Sequence, residues 1–346
     1  MKALVVEKDL SLSIKDLPEP KIKSFEAKCK ILACGICGSD KKILHGVPFT
    51  KAPPISYPLV LGHETAGEVV EIGRDVTKFR IGDIVTCPFN LEPEGYGGAW
   101  GGFAEYGTVF DGNAAGHAGE YLGPVQYLSQ KQHVMPDWMD VKQIPVFTIM
   151  RETLGAVRRF GFDSDESIVV FGLGPIGLSF IRFLNVRGLK PIIAVDIIDE
   201  KVEKAKEFGA DFGFNANDPD LEKKILSICP NGVNHVLDAV GIPELWNSML
   251  PLLGENSQLA VFGLPPAREG TIKWGLLNHW NFKLTFFQMS QAPDEGWAHN
   301  QVLALVRGGV VNLSDYISDY FPFREIVPVL KRFLNNEFKL KTIITF

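Results

Sequence analysis

The sequence predicts an α/β protein in two parts, a doubly wound parallel sheet and a mostly β domain, and three observations carry that expectation. From about Glu152 onward, short apolar runs alternate with stretches of helical pattern. A G-x-G-x-x-G pattern closes the first of those runs. The first 150 residues instead carry short strand-like runs broken by Gly and Pro. Strands alternating with helices read as βαβ units, whereas short runs without helical spacing read as β structure with irregular loops.

Taken in order, KALVVE, CKILAC, LVLGHETAGEVVEIG and DIVTCPF are the strand-like runs of the first part. Leu91 to Gly123, with GYGGAWGG and GNAAGHAG, reads as a long loop, functional or a subunit contact. SIVVFG then predicts a buried strand, followed by a helix through Arg187 and a strand at PIIAVD. EKVEKAKEFGA (helix), DFGFN (strand), LEKKILSIC (helix), NHVLDAVG (strand), PELWNSMLPLL (helix) and SQLAVFG (strand) continue the alternation. After about Ser290 come one helix, a second from Phe323 to Asn335, and a closing strand at KLKTIITF.

Bulk composition narrows the function classes. The chain has 346 residues, 46% hydrophobic and 22% charged, which is ample for two cores. Its formal net charge is −6 and it has no run of Lys and Arg, which argues against a nucleic-acid or anionic-membrane surface. The stretch Ile168 to Ile181 is interrupted by three glycines and a proline and is shorter than the ~20 residues a spanning helix needs. MKALVVEKDL is too short for a signal-peptide core, so the cytoplasm is the expected location. Five cysteines, an odd number widely spread, suit thiols or metal ligands better than a disulfide framework.

The run from Gly172 through Gly174, Pro175 and Ile176 to Gly177 fits a dinucleotide turn. The first Gly permits the tight turn, the second lets backbone approach a pyrophosphate, and the third lets helix pack on sheet. Asp196 ends the next strand about 20 residues on, where a carboxylate accepts the ribose hydroxyls of NAD and repels the 2′-phosphate of NADP. No Arg follows it among Ile197, Ile198 and Asp199, so NAD is the expected cofactor.

Three stretches offer metal ligands: Cys37 between glycines in GICGSD, His63 and Glu64 in GHE, and Glu152 at the start of the βαβ region. Cys, His and carboxylate are a set that Zn²⁺ accepts, and three ligands with an open position make a catalytic site. The residues alone leave other readings open. His63 and Glu64 could be a surface pair, and Cys34-x-x-Cys37 a redox or regulatory pair.

GICGSD, GHE with its following TAGEVVEIG, GDIV at Gly82 to Val85, and GLGPIG, in this order, resemble the zinc-containing medium-chain dehydrogenase/reductase superfamily over nearly the whole chain. Glu152 draws the resemblance toward the polyol (sorbitol-type) and sugar dehydrogenases, which keep a carboxylate there. The resemblance implies a GroES-like catalytic domain from residues 1–151 with 291–346, and a Rossmann domain over 152–290. It implies one catalytic zinc on Cys37 and His63, with Glu64 as third ligand or supporting partner and Glu152 binding directly or through the metal's water. Lys341, in the closing strand, would contact cofactor phosphate. Ser39 would take the substrate proton; the relay histidine of many relatives is replaced by Lys42, with His45 nearby. Leu91 to Val134 contains no cysteine, so the family's second, structural zinc is expected to be absent, and Cys34, Cys87 and Cys229 are not expected to ligate. Glu152 is followed by Thr-Leu where close polyol-oxidising relatives have Pro-Leu. The implied activity is hydride transfer from a secondary alcohol, a polyol or sugar, to NAD by a homo-oligomer, dimer or tetramer. The alternatives are a zinc-free quinone or enoyl reductase of the same fold and a non-catalytic dinucleotide-binding protein.

Overall fold

The computed structural model describes residues 1–46, 56–117, 123–264, 270–288 and 291–346. Contacts divide the chain into two units, Met1–Arg151 with Glu295–Phe346, and Glu152–Asp294. Among the described residues no helix is long and apolar enough to cross a membrane.

In chain order the first unit opens with strands β1 (Lys2–Val6), β2 (Leu12–Asp16) and β3 (Glu26–Gly35), then helix α1 (Gly38–Leu44). Strands β4 (Leu59–Val60), β5 (Glu64–Ile72), β6 (Ile84–Thr86), β7 (Gly97–Gly98) and β8 (Tyr106–Phe110) follow, then α2 (Gly112–His117), α3 (Gly123–Ser129) and α4 (Ile144–Phe160). The second unit holds β9 (Ile168–Phe171), α5 (Pro175–Arg187), β10 (Ile192–Asp196), α6 (Asp199–Glu207), β11 (Phe212–Asn215) and α7 (Leu221–Ile228). It continues with β12 (Val233–Asp238), α8 (Trp246–Met249), β13 (Leu253–Val261) and β14 (Phe282–Phe286). Last come α9 (Ala292–Arg307), β15 (Ile317–Pro322), α10 (Ile326–Leu334) and β16 (Lys341–Thr345).

The second unit's sheet runs β11-β10-β9-β12-β13-β14, every neighbouring pair parallel. Numbered within the unit this is 3-2-1-4-5-6, the doubly wound order, which reverses between the first and fourth strands while every strand keeps the same direction. Strands such as Ile168–Phe171 are buried at every residue, as a sheet covered on both faces demands.

In the first unit, one sheet runs β2-β1-β4-β7 and a second β15-β16-β3-β5-β6, with β8 also on β3. The register of the second sheet builds the site. Gly35 at the end of β3 pairs with Glu64 at the start of β5 and with Ile343 of β16. Three sequence-distant segments therefore converge where β3 runs out.

The structure corrects the sequence reading at several elements. Leu91 to Gly123 is not one loop: YGTVF forms β8, paired with Glu26–Lys30 of β3, and α2 follows. PELWNSMLPLL is not one helix but a 3₁₀ turn, the single turn α8 and a second 3₁₀ turn, Leu250–Leu252, that carries Pro251. Proline removes an amide donor and crowds the preceding turn. Strands β14 and β15 went unread because they are half-exposed and mix charged with apolar residues, so their burial pattern is weak.

Arg151 and Glu295, the residues at which the chain leaves and re-enters the first unit, meet inside it. Arg151 is wholly buried; it donates to the Lys131 carbonyl at 2.8 Å and to Cys87 Sγ at 3.4 Å, and lies 3.9 Å from Glu295 Oε2. Lys131 Nζ pairs with Glu295 Oε1 at 2.7 Å. Removing one member of a buried charge network leaves the others poorly compensated. Arg151→Met is thus expected to cost roughly 3 kcal/mol of stability in denaturant unfolding. A loss under about 1 kcal/mol would show that the network contributes no more than a surface pair.

Candidate functional site

At the end of β3 the chain passes Ile36 and turns into α1, with Cys37 at the N-cap in extended backbone. Asp40, three residues on, accepts the Cys37 backbone N–H at 2.9 Å on Oδ2, which fixes the turn. The second segment approaches through Gly62, at φ +98°, where a Cβ would lie 2.6 Å from the Phe103 nitrogen. Only glycine fits that approach, and His63 and Glu64 follow directly.

The donor atoms of Cys37, His63 and Glu64 lie within 4.8 Å of one another. Glu64 is buried; its Oε1 accepts from Lys341 Nζ at 2.9 Å, while Oε2 has no hydrogen-bond partner. A Cβ on Gly35 would come within 2.3 Å of that oxygen, so Gly35 makes room for the carboxylate. Ser39 Oγ lies 3.3 Å from His63 Nε2, and Asp40 Oδ1 lies 3.7 Å from His63 Nδ1. Burial opposes a proton on His63, yet Cys37 and the Asp40 carboxylate override it and hold the imidazole well above its ordinary 6.5. The local field favours positive charge, and a buried carboxylate oxygen stands unpaired beside a thiol and an imidazole. This is a donor set that fits a divalent cation of borderline softness, as zinc is.

Lys341 requires a correction. It was expected at cofactor phosphate, but its ammonium is buried, donating to Glu64 Oε1 at 2.9 Å and to the Ile36 carbonyl at 3.0 Å. Burial opposes its charge, but Glu64 and then Cys37 outweigh that and raise its pKa above 10.5. Two residues before Ile343, which pairs with Gly35, Lys341 lies just beyond the end of β3 by register. Glu152 belongs to the other unit, the first residue past the boundary on α4. Cys34 is fully buried, and burial pushes its thiol pKa well up, which disfavours the thiolate a metal needs.

Two residues near the cluster have no role assigned from the sequence. Asp40 carried a readable signal, an acid three positions after an N-cap. Trp100 is, by sequence, one of several aromatics that could wall a pocket or fill the core and is left unassigned; its ring centroid sits 5.1 Å from that of His63, on backbone at φ +67°, a region rare for a bulky residue.

In the second unit β9 ends at Phe171 and the chain turns at Gly172, φ +91°, into α5, with Gly174 at the N-cap and Pro175 and Ile176 opening the helix. A Cβ on Gly177 would come 1.8 Å from the Gly172 carbonyl, whereas one on Gly174 would meet nothing within 4 Å. The third glycine is thus required by packing, and the second leaves open space where amides face outward at a helix N-terminus. Asp196 Oδ2 accepts the Leu173 N–H at 2.7 Å and Oδ1 that of Ile198 at 3.1 Å. Its carboxylate is thereby held against the glycine turn, with lone pairs to spare.

A doubly wound unit with a glycine turn and strand-end acid, in one chain with a unit that bears a Cys–His–Glu cluster, defines a metal-dependent, dinucleotide-linked dehydrogenase. Residues 23–116 match the alcohol dehydrogenase GroES-like domain and residues 175–299 the zinc-binding dehydrogenase domain. The chain is 31% identical over 250 residues to (R,R)-butanediol dehydrogenase of Bacillus subtilis (strain 168), covering 70% of this chain and 71% of that one. Sorbitol dehydrogenase of the same organism is 29% identical over 283 residues, 78% of this chain and 76% of that one. In structure, the X-ray crystal structure of 2R,3R-butanediol dehydrogenase from Bacillus subtilis superposes with a TM-score of 0.81 at 22% identity, covering 100% of this chain and 99% of that one. The chain belongs to the zinc-containing medium-chain dehydrogenase/reductase superfamily, in its polyol dehydrogenase branch, and is a zinc- and NAD-dependent oxidoreductase.

Proposed function

We propose that this protein oxidises a secondary alcohol of the polyol or sugar class, passing hydride to NAD. The observation that carries the reading is the cluster of Cys37, His63 and Glu64 with its unpaired buried carboxylate oxygen. Cys37 and His63 hold the zinc, with Glu64 and Glu152 as the carboxylates that complete or support its shell. Bound there, zinc supplies a Lewis acid that lowers the pKa of an alcohol. Ser39, in hydrogen-bond reach of His63, accepts the hydroxyl proton and hands it outward. NAD held at the glycine turn would supply the acceptor for the hydride that an alcohol gives up on becoming a carbonyl. The glycine turn from Gly172 to Gly177 takes the pyrophosphate, and Asp196 takes the adenosine ribose and disfavours NADP.

Lys42 stands where many relatives have the relay histidine, so the proton leaves by a shorter path from Ser39. The chemistry of the named relatives, a butanediol and sorbitol, favours substrates with neighbouring hydroxyls. The protein works as a cytoplasmic homo-oligomer, dimer or tetramer, assembled along the edge strand β14, where Phe286 and, just before the strand, Trp280 are exposed.

The test pairs metal content per chain with NAD⁺ reduction over a panel of polyols and sugars, repeated with NADP⁺. About one zinc per chain and a polyol turned over with NAD⁺ in preference to NADP⁺ is the expected result. No zinc and no alcohol oxidation in zinc-supplemented buffer would overturn it in favour of a zinc-free reductase or a non-catalytic binding protein.

A further inference from the structure

Asp238 is the last residue of β12, wholly buried, paired in register with Phe171 of β9 and Val261 of β13. Its Oδ1 accepts the backbone N–H groups of Val240 and Gly241, each at 2.8 Å. Its Oδ2 accepts the indole N–H of Trp246 at 2.7 Å. Its own carbonyl accepts the N–H groups of Phe262 and Gly263, each at 2.9 Å. One buried residue thus gathers the turn after β12, the start of α8 and the turn after β13.

These turns abut the dinucleotide turn. A Cβ on Gly172 would lie 2.6 Å from Val240 Cγ2 and 3.3 Å from the Ala239 carbonyl carbon, and one on Gly177 would lie 3.9 Å from Ala239 Cβ. Ala239 donates its N–H to the Phe171 carbonyl at 2.9 Å, immediately before the glycine turn. The turn after β13 closes the stack from the other side: a Cβ on Gly263 would meet the Gly241 nitrogen at 2.2 Å. No slack remains between the three turns, so the position of residues 239–241 sets that of the glycine turn. In a doubly wound sheet, ligands bind outside these strand ends.

We propose that Asp238 is a positioning residue for the dinucleotide. Its buried carboxylate holds the turn Ala239–Gly241 against Gly172, keeping the amides of the glycine turn aimed at the pyrophosphate and the exposed faces of Val240 and Ile242 at the strand ends. A carboxylate suits this place because the donors reach it from two sides, two amides at one oxygen and an indole at the other. An amide in its place turns an N–H₂ toward one of those donor sets and leaves a buried donor unpaired. The inference rests on the reading of this edge as the dinucleotide site.

The experiment compares wild type with Asp238→Asn and Trp246→Phe, measuring NADH affinity by fluorescence titration, steady-state KM for NAD⁺ and for the alcohol, zinc content, and thermal unfolding. Asp238→Asn is expected to weaken NADH binding and raise the KM for NAD⁺ by about tenfold or more, the equivalent of one lost buried hydrogen bond. Alcohol KM and zinc content stay at wild-type values. Trp246→Phe removes one donor only and is expected to weaken NADH about threefold. A purely structural role would lower the melting temperature and leave NADH affinity intact below it, and that result overturns the proposal. Should Asp238→Asn fail to fold, unchanged NADH affinity in Trp246→Phe overturns it instead. Wild type that binds no NADH defeats the dinucleotide reading itself, whereas wild type that binds beside variants that bind equally well defeats only the role of Asp238.

Discussion

Cys37→Ser and His63→Ala are each expected to yield folded protein without bound zinc and with kcat/KM lowered at least about a thousandfold, roughly 4 kcal/mol of transition-state stabilisation. A serine hydroxyl stays protonated at neutral pH where a thiolate is the ligand, and alanine leaves no donor at all. The lost ligands also leave Glu64 Oε2 buried without the positive charge that the local field favours. Metal analysis on desalted variants, with circular dichroism to establish the fold, checks this. Wild-type turnover in a metal-free variant would remove zinc from the mechanism and return Cys37 and His63 to a structural role.

Lys341→Met is expected to cost about 3–5 kcal/mol in denaturant unfolding, because it strands a buried carboxylate beside Cys37. Combining it with Glu64→Gln is expected to recover much of that loss, since both charges then go together. Additive effects within about 0.5 kcal/mol would show that the two residues are not coupled. The pH dependence has a definite sign. The folded-state pKa of Lys341 lies above its ordinary 10.5, so its contribution is fully present below that value and disappears as pH rises through the folded pKa. The stability gap between wild type and Lys341→Met therefore holds from neutral pH to about 10 and narrows only at higher pH.

The same pair marks how far the sequence could be read. Cys37, His63 and the glycine turn were legible because each sits in a short motif whose backbone demands are local: a turn at Gly172, a tight approach at Gly62, an N-cap at Cys37. The parallel sheet was legible because fully apolar strands such as Ile168–Phe171 alternate with helices, though β14 at its edge was not, being half-exposed. Lys341 looked like a cation for phosphate. The pairing of β16 with β3 instead brings it to Glu64, 277 residues earlier, and no spacing in the sequence encodes that register.

What the sequence alone determined is the set of chemical groups and the local turns that present them: a thiol, an imidazole and a carboxylate after glycines, and a strand-end acid after a dinucleotide turn. What the tertiary structure alone decided is which charges face which. The pairing of Glu64 with Lys341, the burial of Arg151 beside Glu295, and the seating of the turn at Ala239 and Val240 against Gly172 all arise between segments far apart in the chain. The division has a physical basis. Backbone conformation is set by neighbours within a few residues, whereas a buried charge is stabilised only by the partner that strand register and packing place against it.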